Sequence, residues 1–116
     1  MQRSILPFTA LLGLLAILLT GHSSAAVRGT DDKPAKVAVT IDNFSFGPNA
    51  ITVAQGATVE WTNKDDVPHN IISNDKLFGS PVLDSGQKFE FTFKKAGTFS
   101  YYCSIHPKMT GKVVVQ

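Results

Sequence analysis

Beyond residue 26 the chain holds two histidines, one cysteine and one methionine. Three of these four share one seven-residue stretch, Cys103-Ser-Ile-His106-Pro-Lys-Met109, and His69 stands alone upstream between Pro68 and Asn70. Singly, each has an ordinary reading: a lone cysteine at the end of an apolar strand is a small core residue, and a lone methionine is core filler. Together they make a thiolate, two imidazoles and a thioether, a donor set suited to one copper ion that cycles between Cu(II) and Cu(I). Thiolate is soft and holds Cu(I), imidazole accepts both states, and the thioether is a weak axial donor that tunes the potential. Zinc would also accept the cysteine and histidines, but zinc sites prefer cysteine or histidine in fourth place and leave Met109 unexplained. A Cys–His nucleophile pair would want a third, orienting group, which the motif lacks.

The spacing serves convergence. Cys103 closes an alternating strand, and two residues separate it from His106, as two separate His106 from Met109. That is enough chain for three side chains to meet, and Gly111 then lets the backbone re-enter a strand. His69 must arrive from another loop. Pro68 and Pro107 restrict the backbone beside each histidine. In this arrangement His106 reaches the surface while Cys103 stays inside.

The elements that must hold these residues read as strands. Val37, Val39 and Ile41 alternate with polar or small residues. So do Ile51 and Val53, Val59 and Trp61, Phe89, Phe91 and Phe93, Phe99, Tyr101 and Cys103, and Val113 and Val115. Period two with one apolar face marks half-buried strands. Turn residues separate them at Gly47–Pro48–Asn49, Gln55–Gly56, Asn63 to Pro68, Ser85–Gly86 and Ala96–Gly97. No segment keeps a helical period. The expectation is an all-β sandwich or barrel. Residues 74–84 are irregular and read as a long loop or a single helical turn. Trp61 and the Phe89/Phe91/Phe93 stripe read as core. Asp65, Asp66 and Asp84 read as loop acids with no paired acid–base work.

The 116 residues allow one ordinary domain. Arg3, the apolar run Ala10–Leu19 and the small residues Ser23 to Ala26 have the order of a secretory signal peptide, cut after Ala25 or Ala26. The apolar run is short against the roughly 20 residues a membrane span needs. Export, most simply to a periplasm, is therefore expected, with residues 1–26 as leader, 27–35 as a flexible start and 36–116 as the copper-binding domain. Removing residues 1–26 removes Arg3 and no acid, which leaves ten bases against nine acids and a net charge of +1. That balance gives no case for nucleic-acid binding. One cysteine cannot form an internal disulfide, so a metal is the available staple for so small an exported domain.

The run YYCSIHPKMTGKVVV, with VPHN upstream, resembles the cupredoxin family, and its amicyanin branch above all. The resemblance spans about residues 37–116 and includes ITVAQGATVEW and the closing GKVVV. The short Cys-x-x-His-x-x-Met loop is amicyanin-like, whereas plastocyanin and pseudoazurin have a longer His-to-Met gap. The resemblance implies a Greek-key β-sandwich of seven to eight strands with copper at one end. It maps the ligands onto His69, Cys103, His106 and Met109, and gives Asn70 and Ser104 the task of tying the two ligand loops together. It also implies a soluble electron carrier, not an enzyme. Such a carrier is a monomer that docks transiently near His106 on redox proteins of dehydrogenase or cytochrome type, without stable membrane insertion. The alternative is an exported copper carrier that delivers the ion itself. Lys108 departs from the apolar residue that amicyanins tend to carry there, which makes the docking face more cationic.

Overall fold

The computed structural model describes residues 35–116. The expected leader at 1–26, and the segment that follows it up to residue 34, lie outside the described residues. Eight strands run through the chain: β1 (Lys36–Asp42), β2 (Ser45–Gly47), β3 (Ala50–Val53), β4 (Thr58–Asn63), β5 (Ile72–Ser73), β6 (Lys88–Thr92), β7 (Gly97–Tyr102) and β8 (Thr110–Val115). They form two four-stranded sheets, β2-β1-β4-β6 and β3-β8-β7-β5. The chain changes sheet after β2, β3, β4, β5 and β6, so most neighbours in a sheet are distant in sequence. β1 pairs with β4, and β3 with β8, in parallel; the other pairs are antiparallel. Among the described residues there is no helix, and none long and apolar enough to cross a membrane.

The strands predicted from alternation are present, and their apolar faces meet between the sheets. Val39, Ile41, Val59 and Trp61 from one sheet face Tyr101, Val113 and Val115 from the other, all buried. Burial of a side chain of this size contributes about 1.5–3 kcal/mol relative to exposure. β2 and β5 were not foreseen: at three and two residues they are too short to show a period. The phenylalanine stripe divides. Phe89 and Phe91 are partly buried on the edge strand β6, while Phe93 lies just past its end and is fully buried. Lys88 and Glu90 keep the outer face of that edge charged, which discourages pairing with another chain.

Residues 74–84 form a loop that folds back, not a helical turn. Isolated bridges join Ile72 to Gly79 and His69 to Leu83. Phe78 plugs the loop into the core, stacked on Trp61 with ring centroids 5.9 Å apart. The loop thereby becomes part of the wall behind His69.

Gly111 has a role other than loop flexibility. It sits opposite Tyr101 in the β7–β8 pairing, and the buried Tyr101 ring lies over it. A Cβ at Gly111 would fall 2.4 Å from both Cζ and Oη of Tyr101. Burial pushes the Tyr101 phenol up to about 12. Its hydroxyl has no hydrogen-bond partner among the described residues. Gly111→Ala therefore forces a rigid, enclosed ring to move. It should cost about 1–3 kcal/mol, seen as a lower urea midpoint at unchanged slope. A wild-type midpoint would show that the ring has room to yield.

Candidate metal centre

His69 lies on the connection that crosses from β4 in the first sheet to β5 in the second. β4 ends at Asn63, which is fully buried, and its side chain shapes the turn that follows. Asn63 Nδ2 donates to the carbonyls of Val67 (2.9 Å) and Leu83 (2.8 Å), and its Oδ1 accepts the amide of Asp65 (2.9 Å). The His69 backbone is then locked against Leu83 by amide–carbonyl bonds of 3.1 and 2.7 Å in both directions. Its ring is wholly buried.

Cys103 and His106 arrive from the second sheet, on the turn between β7 and β8. The Cys103 amide donates to the Met109 carbonyl (3.1 Å), and the Met109 amide to the His106 carbonyl (2.9 Å). These two bonds close the short loop. Cys103 is fully buried, Met109 nearly so, and His106 only partly. A buried thiol with a partly exposed histidine is the arrangement the spacing predicts.

The two loops meet at the end of the sandwich. His69 Nδ1 lies 3.8 Å from Cys103 Sγ and 3.2 Å from His106 Nδ1, and His106 Nδ1 lies 3.9 Å from the sulfur. All three donor atoms fall within 4.8 Å of one another. Separations of this size arise when each atom sits about 2.0–2.3 Å from one shared ion. One sulfur and two imidazole nitrogens suit copper in both oxidation states. Met109 is on the same short loop, tied by its backbone to Cys103 and His106, and its side chain is buried.

Asn70 joins the loops, as expected. Its Nδ2 donates to Ser104 Oγ (2.7 Å), its Oδ1 accepts the Ser104 amide (2.8 Å), and its own amide points at Cys103 Sγ (3.5 Å). An N–H aimed at the sulfur stabilises negative charge there.

Two residues at the centre were not foreseen. Asp65 reads as a loop acid in the sequence, yet it is buried, and its Oδ2 lies 2.7 Å from His69 Nε2. A carboxylate only accepts, so Nε2 carries the hydrogen and Nδ1 presents its lone pair toward Cys103 and His106. Burial alone would push the Asp65 carboxyl up. The Phe44 amide, His69 and the Asn43 amide overcome this and hold it at about 2. Phe44 is the second. It is half exposed, and its ring stands edge-on to both His69 (5.7 Å) and His106 (5.0 Å). The only sequence cue for Asp65 was its place four residues before His69; for Phe44 there was none.

The Cupredoxin-like domain family matches residues 10–115 of the chain. This chain belongs to the cupredoxin-like family. It is 30% identical to amicyanin from Paracoccus versutus, over 98% of this chain and 97% of that one. A purple cupredoxin from Nitrosopumilus maritimus is 38% identical with a TM-score of 0.67, over 69% of this chain and 99% of that one. A copper-containing nitrite reductase from Thermus scotoductus is 33% identical with a TM-score of 0.67. That match covers 72% of this chain but only 23% of the reductase, so the likeness is to a part of it. This cupredoxin is accordingly a blue-copper electron-transfer protein that takes one copper ion.

The Asn70 clasp can be tested without metal. Asn70→Ala leaves the Ser104 amide and hydroxyl without their partners and should destabilise the metal-free protein by about 1 kcal/mol or more. Urea denaturation reads the loss. Wild-type stability would show that water replaces the clasp at no cost.

Proposed function

We propose that His69, Cys103, His106 and Met109 hold the copper ion, and that this cupredoxin is an exported, soluble carrier of one electron between redox proteins. The observation that carries the reading is the convergence of two imidazole nitrogens and one thiol sulfur from two loops within 4.8 Å. Copper supplies a one-electron couple, Cu(II)/Cu(I), that this donor set accommodates. The protein's part is to hold the donors still. The Leu83 bridge fixes His69, Asn70 fixes the turn at Ser104, and the two backbone bonds to and from Met109 fix the short loop. Burial of His69, Cys103 and Met109 keeps water from them.

His106 is the ligand nearest the surface and serves as the electron port. Around it Phe44 and Ile105 are exposed, at 50% and 42%, with Pro107 and Lys108 beside them. An apolar face with one cation fits brief docking on an acidic-rimmed partner of dehydrogenase or cytochrome type. The chain works as a monomer in this reading. Residues 1–26 act as the export leader to the periplasm, ahead of the copper-binding domain at 36–116. A carrier that hands over the ion itself is the second reading. It wants exchangeable donors, and the burial of Cys103 and His69 favours electron transfer instead.

Adding Cu(II) to the metal-free protein should give an intense thiolate-to-copper band. Cys103→Ser should lose that band while keeping its fold, whereas Met109→Leu should keep it and shift the potential. An intense band in Cys103→Ser, or no copper binding at all in Met109→Leu, would remove those residues from their roles. Electron-transfer rates with an acidic partner should fall several-fold in Lys108→Glu at low ionic strength, and the difference should shrink with added salt. Equal rates at low salt would place the docking face elsewhere.

A further inference from the structure

We propose that Asp65 is a positioning residue for the copper centre, whose one carboxylate sets both the His69 ring and the cover that Phe44 lays over the two imidazoles. The inference rests on the copper reading above. Its basis is that one side chain reaches three groups with different tasks. Oδ2 meets His69 Nε2 at 2.7 Å and the Phe44 amide at 3.0 Å, and Oδ1 meets the Asn43 amide at 2.6 Å.

The first task concerns the ring. By accepting from Nε2–H, the carboxylate leaves only Nδ1 to face Cys103 and His106. A carboxylate behind a metal-bound imidazole also raises its basicity as a ligand. The negative charge, one ring's width from the metal, favours the more highly charged oxidised state. Asp65 thus biases the centre toward Cu(II).

The second task concerns the turn between β1 and β2. Asn43 and Phe44 both have left-handed backbone angles, φ 49° and 56°. Asparagine tolerates that region, but for a bulky residue such as phenylalanine it is a genuine outlier. The two amides aimed into the Asp65 carboxylate offset the cost. Ser45 Oγ donating to the Asp42 carbonyl at 2.9 Å closes the turn from the other side. The result places the Phe44 ring, half exposed, edge-on to both histidines. An aromatic ring in such a backbone, at the surface, is explained by what it covers.

Asp65 is held independently of the Cys103–Met109 loop. Its amide is held by Asn63 at the end of β4. The clamp therefore exists before copper arrives, and it links the centre to a turn that supplies none of the ligands.

The near-isosteric Asp65→Asn is the decisive variant, read in three ways. In the copper protein the potential should rise; a tenfold loss of Cu(II) affinity relative to Cu(I), the lower end of what such partners contribute, corresponds to about 59 mV. In the metal-free protein, hydrogen exchange at the Asn43 and Phe44 amides should speed roughly tenfold or more. Nitrogen-15 NMR should find the His69 ring as the Nε2–H tautomer in wild type and mixed in the variant. Asp65→Glu, which returns the charge one methylene out, should recover part of the potential. Phe44→Ala keeps Asp65 and His69 together, so it should leave the His69 tautomer unchanged while copper is stripped faster by a chelator. A wild-type potential in Asp65→Asn with only a lower melting temperature would reduce Asp65 to a turn staple and overturn the proposal. A raised potential with unchanged amide exchange would break the link to Phe44 and overturn it too. If wild type gives no thiolate-to-copper band, the copper reading fails, while the tautomer and exchange measurements still decide the clamp.

Discussion

The pairing of Asn70 with Ser104 is the constraint on which the centre depends. One histidine lies on the connection from β4 to β5, three residues before β5, and the cysteine and second histidine follow β7, which pairs with β5 in the second sheet. Asn70 and Ser104 lie in line with the antiparallel register of β5 on β7, just past Ile72 and Tyr102 where the ladder ends and the two loops could splay by tenths of an ångström, enough to spoil bonds to a metal. The amide of Asn70 joins the loops with two hydrogen bonds of 2.7 and 2.8 Å, and the backbone of the same residue points an N–H at the sulfur. One residue therefore fixes the separation of the loops and the surroundings of the thiolate. Because the clasp is adjacent to both His69 and Cys103 in sequence, little slack lies between it and the donor atoms.

The architecture places rigidity and exposure on opposite sides of the same centre. Behind His69 the wall is deep: Asn63, Leu83 and Ile71 are buried, and Phe78 anchors the long loop against Trp61. In front, of the four candidate donors only His106 has surface access, framed by Phe44, Ile105, Pro107 and Lys108. The donors are braced by hydrogen bonds within and behind their loops, His69 to Leu83 and Asp65, and Cys103 and His106 to Met109, which suits a centre that must change shape little between oxidation states. The centre also presents a single short route outward.

Charge is concentrated in a few places. On the outer face of the first sheet Lys36 joins Glu60 and Glu90, and the Lys36 partner draws the Glu60 carboxyl down to about 2. Those groups are solvent-facing, and pairs of this kind contribute little to stability. Asp65 differs because it is buried and its partners are fixed. A buried carboxylate with two backbone amides and an imidazole around it is satisfied, so it does not carry the penalty of an isolated charge.

The sequence alone determined which side chains are offered as donors, their spacing and the class of fold. Alternating apolar residues such as Val37, Val39 and Ile41 named their strands, because period two survives in any half-buried strand of sufficient length. The Cys103–His106–Met109 stretch named its chemistry, because few tasks other than copper binding use a thiol, an imidazole and a thioether at that spacing. Legibility ended where the cause was distant in sequence. β2 and β5 exist only because β1 and β7 give them partners, and residues 74–84 fold back only because Trp61 and Leu83 offer Phe78 and His69 something to meet. Gly111 is required by the Tyr101 ring across the strand pair, which no local pattern reveals. Asp65 has the composition of a solvated loop acid. Only the tertiary structure brings it between a turn 21 residues upstream and a histidine four residues downstream, where burial turns an ordinary carboxylate into part of the metal's surroundings.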